Sequence, residues 1–394
     1  MEFSTKPRCI FYSHDTMGFG HIRRNMLLSQ AVLQACPQAE ILLISGVREA
    51  GRFTLPKGVD SLILPAWLKS PSGKYLPRSL GEKIKPLVML RSQIIYAAIN
   101  AFSPDIMVVD NVPRGAMREL DISLPLLARK KTHLVLGLRD ILDDPAAVKK
   151  QWDKDNNISA LRDFYSSVWV YGDQRLYDLR KEYGFDALTS KKINFTGYLD
   201  ATQRAQNNIT DDAIMSTPYV LCVVGGGQDG FHLAETFVRT VLPEGMQGIL
   251  VTGSMMPEPE RLRISQLIAD FPEKKAVSFV AEPLKLLRYA RYVIAMGGYN
   301  TLTEILAFQK SALIVPRVSP RAEQWIRAER LAQAGLIDCV HPQRVTPDFL
   351  GHWLVQQHQF ANPREKLDFD GLNRVADNVG RILANRIRES ESCR

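Results

Sequence analysis

The sequence predicts an α/β protein made of two doubly wound, Rossmann-like domains. Short apolar runs bounded by turn residues alternate with helical patterns along all 394 residues, and one polar stretch near the middle interrupts the alternation. The chain is also longer than one ordinary hydrophobic core supports. Such runs are the mark of strands buried on both faces, and parallel strands need crossover helices between them.

In chain order, the first set of expected strands is Cys9–Ser13, Ile41–Ser45, Ser61–Leu64, Ile106–Asp110, His133–Leu138 and Val168–Tyr171. The stretch Thr202-Gln-Arg-Ala-Gln-Asn-Asn-Ile-Thr-Asp-Asp212 has no apolar period and reads as a linker. Alternation restarts at Tyr219–Val224, Gly248–Thr252, Val277–Val280, Tyr292–Met296 and Ala312–Pro316. The tail carries Leu372, Val375, Ala376, Val379, Ile382 and Leu383 at helical spacing. The expected division is a first domain over 1–200, a linker over 201–217, a second domain over 218–365 and a terminal helix over 366–394. Two doubly wound domains are expected to face each other across a cleft.

Composition narrows the class. Hydrophobic residues make up 45% and charged residues 23%, which is globular rather than disordered. No apolar run approaches the roughly 20 residues of a transmembrane helix. Residues Met1 to Arg8 lack an apolar signal region, so a cytoplasmic protein is expected. The five cysteines are scattered, with no Cys-x-x-Cys pair, and read as reduced thiols rather than a zinc site. A net charge of +8 could meet nucleic acid, anionic lipid or a phosphorylated substrate. No helix-turn-helix, zinc-finger or RNP signature accompanies it, so no nucleic-acid partner is expected.

The first strand runs into Ser13-His-Asp-Thr-Met-Gly18-Phe-Gly20-His21-Ile-Arg23-Arg24. Glycines let the chain turn tightly into a helix and place His21 near its N-terminus, where the dipole favours a neutral imidazole. A neutral imidazole can take the proton of an attacking hydroxyl. The alternative is a phosphate-binding turn of Gly18 and Gly20 in which His21 only packs. A dinucleotide fingerprint fits less well, because Arg23 stands at the third glycine. Arg23 and Arg24 at a helix N-terminus are unfavourable unless an anion joins them, which suggests an acceptor phosphate or a donor diphosphate. Two solvated arginines remain the plain alternative. Asp110 ends its strand at the carboxyl edge and could orient His21, as a triad aspartate does, or cap the turn towards Gly115. Asp140 is a lesser candidate. Asp143-Asp144 before Pro145 reads as a helix N-cap rather than a metal pair.

The second domain opens with Gly225-Gly-Gly227-Gln228 after a strand, a loop whose amides could approach an anion. Further on, Met296-Gly-Gly-Tyr-Asn300-Thr301-Leu-Thr-Glu304 is a strand end, a glycine turn and a helix start with an acid one turn in. Amides at such a start hold a diphosphate, and a carboxylate there can accept from ribose hydroxyls. After the next apolar run, Glu323-Gln324 can hydrogen-bond a sugar. This spacing suits a nucleotide-sugar more than a nicotinamide cofactor.

Over roughly 218–340 the chain resembles family 28 glycosyltransferases of the GT-B fold, through Gly297-Gly298…Thr301…Glu304 and Gln324…Ala328…Leu331. A weaker match, the Gly-x-Gly-His turn, lies near the N-terminus. The resemblance implies that the final helix crosses back to the first domain and that Val280 faces uracil. It also implies that Gln324 lies at the donor sugar and that His21 pairs with an aspartate. Three positions depart from the family pattern. Gly227 stands where a serine is usual, Glu323 where a second glutamine is common, and Arg327 replaces an asparagine. The Glu323–Arg327 pair could favour an amino, carboxylated or differently hydroxylated sugar, or equally form a salt bridge inside the helix start. The expected activity is transfer of a sugar from a UDP-sugar, such as UDP-N-acetylglucosamine, to a hydroxyl acceptor, without metal or other cofactor. The acceptor could be anionic or lipid-linked, with peripheral contact at the inner membrane face. The alternatives are a sugar-nucleotide 2-epimerase or hydrolase of the same fold, and a non-catalytic binding protein.

Overall fold

The computed structural model describes residues 6–14, 19–48, 51, 53–69, 74–202, 217–278 and 284–392. The chain divides into two compact units, one formed by Met1–Leu199 with Asp370–Arg394 and the other by Asp200–Phe369. The linker expected over 201–217 falls largely outside the described residues.

The first unit is built on β1 (Arg8–Ser13), β2 (Glu40–Ser45), β3 (Val59–Ile63), a short hairpin of β4 (Trp67–Lys69) and β5 (Tyr75–Pro77), then β6 (Ile106–Asp110), β7 (His133–Arg139), β8 (Ser167–Tyr171) and β9 (Ile193–Phe195). All but the hairpin form one parallel sheet in the order β3-β2-β1-β6-β7-β8-β9. Ile10, Phe11 and Tyr12 of β1 and Met107, Val108 and Val109 of β6 are all buried, which is why these strands read as unbroken apolar runs rather than alternating ones. The helix Gly20–Ala35 packs along the long final helix Gly371–Ser392. That final helix is fastened to the same unit. Gly371 N donates to Tyr198 O at 3.1 Å, Arg374 donates to Thr196 O at 2.8 Å, and Arg386 pairs with Asp105 at 3.1 Å. A Cβ on Gly371 would lie 2.6 Å from Tyr198 O, so only glycine allows this close approach.

One ionic cluster is buried beside β1. Arg91 reaches Glu119 through Nε at 2.5 Å and through a terminal nitrogen at 2.7 Å, and Tyr12 Oη donates to the same carboxylate. Trp67 lies over the guanidinium at 4.9 Å. The carboxylate is met by a cation and a phenol, the condition under which a charge tolerates burial.

The second unit is a six-stranded parallel sheet of β10 (Tyr219–Val223), β11 (Gln247–Val251), β12 (Lys274–Val277), β13 (Tyr292–Ala295), β14 (Ala312–Ile314) and β15 (Asp338–Cys339). The order is β12-β11-β10-β13-β14-β15. Its core gathers Val220, Cys222, Leu250 and Ile294 from the sheet with Leu233, Phe237, Leu350 and Trp353 from the helices. Lys274 is buried with its ammonium donating to Val238 O and Thr240 O, the free carbonyls at the end of the helix Phe231–Arg239.

Most expected strands lie where the apolar runs placed them. One differs: the strand expected over Val277–Val280 is Lys274–Val277, in register from Gly248↔Lys274 to Val251↔Val277. Lys274 and Lys275 hide it in the sequence, yet the Lys274 ammonium finds carbonyl partners inside. Strands β9 and β15 and the hairpin are two or three residues long, too short to show a period. Among the described residues no helix is long and apolar enough to cross a membrane.

Candidate functional site

In each sheet the strand order reverses beside the first strand of the unit, at β1/β6 and at β10/β13, and ligands of doubly wound sheets bind at such carboxyl edges. Most candidate residues of each unit stand on the segments that leave those strands.

In the first unit, β1 pairs with β6 from Cys9↔Ile106 to Tyr12↔Val109. That register brings the helix after β1 against the end of β6. His21 Nδ1 lies 2.5 Å from Asp110 Oδ2, and one terminal nitrogen of Arg24 lies 2.6 and 2.5 Å from the two oxygens of the same carboxylate. The same nitrogen is 3.0 Å from His21 Nδ1. Burial alone would raise the Asp110 carboxyl, but Arg24 and His21 outweigh it and hold the group well below the usual carboxylate range. Asp110 is therefore an anion, so the hydrogen bond has Nδ1 donating to it, and in the neutral ring Nε2 is then the acceptor. The His21 side chain is 19% exposed while Asp110 and Arg24 are buried. The more exposed imidazole is thus held by a pair that is buried.

Arg24, expected as a contact to an anionic ligand, is placed otherwise. It is 2% exposed, and its guanidinium is engaged by Asp110. Arg23, on the same turn, is half-buried, as is Gly20. Gly18 lies outside the described residues. The helix Gly20–Ala35 starts without a side-chain cap and without an acid in its first turn. A residue the sequence reading passed over also reaches the site: the ring of His14, at the end of β1, is 5.3 Å from that of His21. Its signal was available, since it follows Ser13 directly at the strand's carboxyl edge. Asp140 is buried one strand further on, where it accepts from Ile141 N at 2.7 Å and Tyr198 Oη at 3.1 Å. Asp144 caps its helix, accepting from the amides of Ala146 and Ala147.

In the second unit, Gly225 and Gly227 take φ of +64° and +96° in the loop leaving β10. A Cβ on Gly227 would sit 2.3 Å from Thr252 O and 2.9 Å from Met256 N. The absence of a serine there has a local cause, because the loop is pressed against the segment after β11, where Met255 N donates to Gly226 O at 2.9 Å. Gln228 follows, half-buried. The helices Phe231–Arg239 and Tyr299–Ala307 both begin behind a glycine, Gly230 and Gly298, with no side-chain cap. A helix start without a side-chain cap is where an anion is favoured. Asn300, Thr301 and Glu304 stand half-buried on the first turns of the second of these helices.

The segment after β14 closes on that turn. A Cβ on Gly297 would meet Pro316 Cβ and Gln324 O at 3.0 Å, and Arg327 donates to Gly297 O at 3.3 Å. Glu323, expected at the sugar, is 3% exposed and paired with Arg317 at 2.5 Å. Its charge is directed to that guanidinium. Arg317 also meets Asp229 at 3.2 Å, and its backbone amide donates to Gln324 Oε1 at 3.1 Å. With Oε1 occupied, the Gln324 NH₂ is the group left to donate. Arg317 escaped the sequence reading because its partners lie 6 and 88 residues away. Val280 lies outside the described residues. Among the described residues no cluster of three His, Cys, Asp or Glu side chains is arranged to hold a metal.

Residues 220–366 match the glycosyltransferase family 28 C-terminal domain. The chain has the GT-B fold, and its second unit is similar to the C-terminal domain of family 28 glycosyltransferases. An uncharacterized glycosyltransferase of Methanopyrus kandleri is 29% identical over 47% of this chain, and the match spans about half of that relative, 48%. A UDP-N-acetylglucosamine–N-acetylmuramyl-(pentapeptide) pyrophosphoryl-undecaprenol N-acetylglucosamine transferase of Solidesulfovibrio magneticus is 23% identical over 82% of this chain and 81% of its own. Among solved structures, one from Listeria monocytogenes assigned as a UDP-N-acetylglucosamine 2-epimerase superposes with a TM-score of 0.66 at 13% identity, covering 98% of both chains. At that identity it speaks to the fold alone. The family 28 match falls in the unit with the two glycine turns.

Proposed function

We propose that this protein is a glycosyltransferase that moves N-acetylglucosamine from UDP-N-acetylglucosamine to a hydroxyl of an anionic, lipid-linked acceptor, working at the cytoplasmic membrane surface. The observation that carries the catalytic reading is His21, whose Nδ1 is held by a buried aspartate while Nε2 is left to accept. In the step, Nε2 takes the acceptor's hydroxyl proton, the acceptor oxygen bonds to C1 of the sugar, and the bond from C1 to the diphosphate oxygen breaks with its electron pair leaving on phosphate. The Gly225–Gly227 loop and the amides at the start of the helix Tyr299–Ala307 would receive that negative charge, stabilisation aimed at where charge develops. Glu304 would accept from the ribose, Gln324 would donate to the sugar, Val280 would face uracil, and Arg23 would meet an acceptor phosphate. The donor assignment is supported by the named activity of the Solidesulfovibrio relative.

The Listeria fold match and the nearness of His14 to His21 favour one second reading, 2-epimerisation of the same UDP-sugar. Incubation with UDP-N-acetylglucosamine alone separates the two, since epimerisation yields an isomer of unchanged mass with no acceptor present, whereas transfer releases UDP only once a hydroxyl acceptor is added. A thermal-shift screen of UDP-, GDP- and dTDP-sugars tests the donor, because a ligand bound to the folded state raises its melting temperature. His21→Ala should then lower UDP release by roughly 10²–10⁴-fold with donor affinity kept. Near-normal release by that variant removes His21 as the base.

A further inference from the structure

We infer that Arg24 is a positioning residue of the transfer: its guanidinium cancels the Asp110 charge, so that the aspartate holds the His21 ring without locking a proton onto it. The inference rests on His21 being the base proposed above and adds to it a third member that the sequence reading assigned to ligand binding. One nitrogen of Arg24 reaches both oxygens of Asp110 and comes within 3.0 Å of His21 Nδ1, and both charged partners are buried.

The physical argument concerns which cation a buried carboxylate keeps. An ionised aspartate removed from water is costly unless a positive group meets it, and breaking such a pair leaves an uncompensated charge. Around Asp110 two groups can supply the positive charge, Arg24, which is always protonated, and His21, which is positive only as imidazolium. With Arg24 in place the carboxylate is satisfied and His21 has only to donate one neutral N–H. Without Arg24 the stable arrangement becomes an Asp110 carboxylate paired with a protonated, positively charged His21 ring. The imidazolium has no lone pair on Nε2 and cannot take the acceptor's proton.

Other groups approach this cluster from neighbouring elements. His14 approaches from the end of β1 at 5.3 Å, and Tyr171 of β8 lies 5.8 Å beneath the Arg24 guanidinium. Asp140, just past β7, is held by Ile141 N and Tyr198 Oη. Arg24 and His21 are the cations that lower the Asp110 carboxyl.

The test uses the full chain with Arg24→Met, which keeps length and burial but removes charge, and Arg24→Lys, which keeps charge. The first readout needs no substrate: the His21 ring is titrated by nitrogen NMR. In Arg24→Met the ring should hold its proton to higher pH than in the unaltered protein by about one unit or more, while Arg24→Lys should stay close to the unaltered protein. The second readout is UDP release from UDP-N-acetylglucosamine across pH, with water serving as the hydroxyl acceptor. Arg24→Met should lose about tenfold or more near neutrality and regain most of it in alkaline buffer. Identical ring titration in Arg24→Met, or a loss by one factor at every pH, overturns the inference and leaves Arg24 as a packing residue. Should Arg24→Met fail to fold, Arg24→Lys decides, because a displaced titration with the charge retained is equally fatal. Full UDP release by His21→Ala instead refutes the proposed base whatever Arg24 does, so the two failures are distinguishable.

Discussion

Restoring the family's serine at position 227 should harm this protein. Gly227 has φ of +96°, and a Cβ there would stand 2.3 Å from Thr252 O and 2.9 Å from Met256 N. The left-handed backbone costs a side-chain-bearing residue about 1–2 kcal/mol. The contact atoms are backbone rather than flexible side chain, so the loop or its neighbour must move, at about 1–3 kcal/mol. Together Gly227→Ser should cost about 2–5 kcal/mol. In a domain of this size that corresponds to a fall of about 4–20 °C in the melting transition. Gly225→Ser is the control: φ is +64° but nothing lies within 4 Å of its Cβ position. It should lose only the backbone share, about 1–2 kcal/mol. Calorimetric scanning of the two variants, with and without UDP, reads both stability and donor binding. A Gly227→Ser protein that melts within about 1 °C of the unaltered chain would refute the reasoning, since no overlap of that kind can be free.

Two further outcomes follow. Glu304→Ala should weaken UDP-sugar binding by about 1–3 kcal/mol, the cost of leaving a buried polar group unmatched, and unchanged affinity in titration calorimetry would take Glu304 out of the site. Burial pushes the Cys9 and Cys222 thiols far up and raises Cys36, while Cys339 is pushed up to about 12 by burial and then by Glu329 and Asp338. Thiolate is the reacting species, so a disulfide reagent at mildly alkaline pH should modify these four only slowly until urea is added, and their fast labelling in the native protein would contradict the packing.

The sequence carried much of the fold because its signal is local. Runs such as Ile106–Val109 and Tyr219–Val223 are apolar since both sheet faces are covered, and this needs no knowledge of partners. Glycine turns after β10 and β13 are equally local, as only glycine takes the positive φ at Gly225 and Gly227. From these the sequence by itself determined two doubly wound units, the glycine loops at the strand ends, and His21 and Asp110 at carboxyl edges. Strand β12 was legible only in part, because Lys274 looks exposed until its ammonium is seen on Val238 O and Thr240 O.

The charges could not be assigned this way. Arg24 reads as a solvent or ligand cation until pairing of β1 with β6 places Asp110 within 2.6 Å, and those two residues are 86 positions apart. Glu323 reads as a sugar contact until Arg317 is found against it, and Arg317 in turn reaches Asp229 across 88 positions. Only the tertiary structure decided which of these groups keep their charge for a ligand and which give it to each other. The reason is that burial makes an unpaired charge costly, and the partner that relieves it is chosen by distance in the fold, which spacing along the chain does not encode.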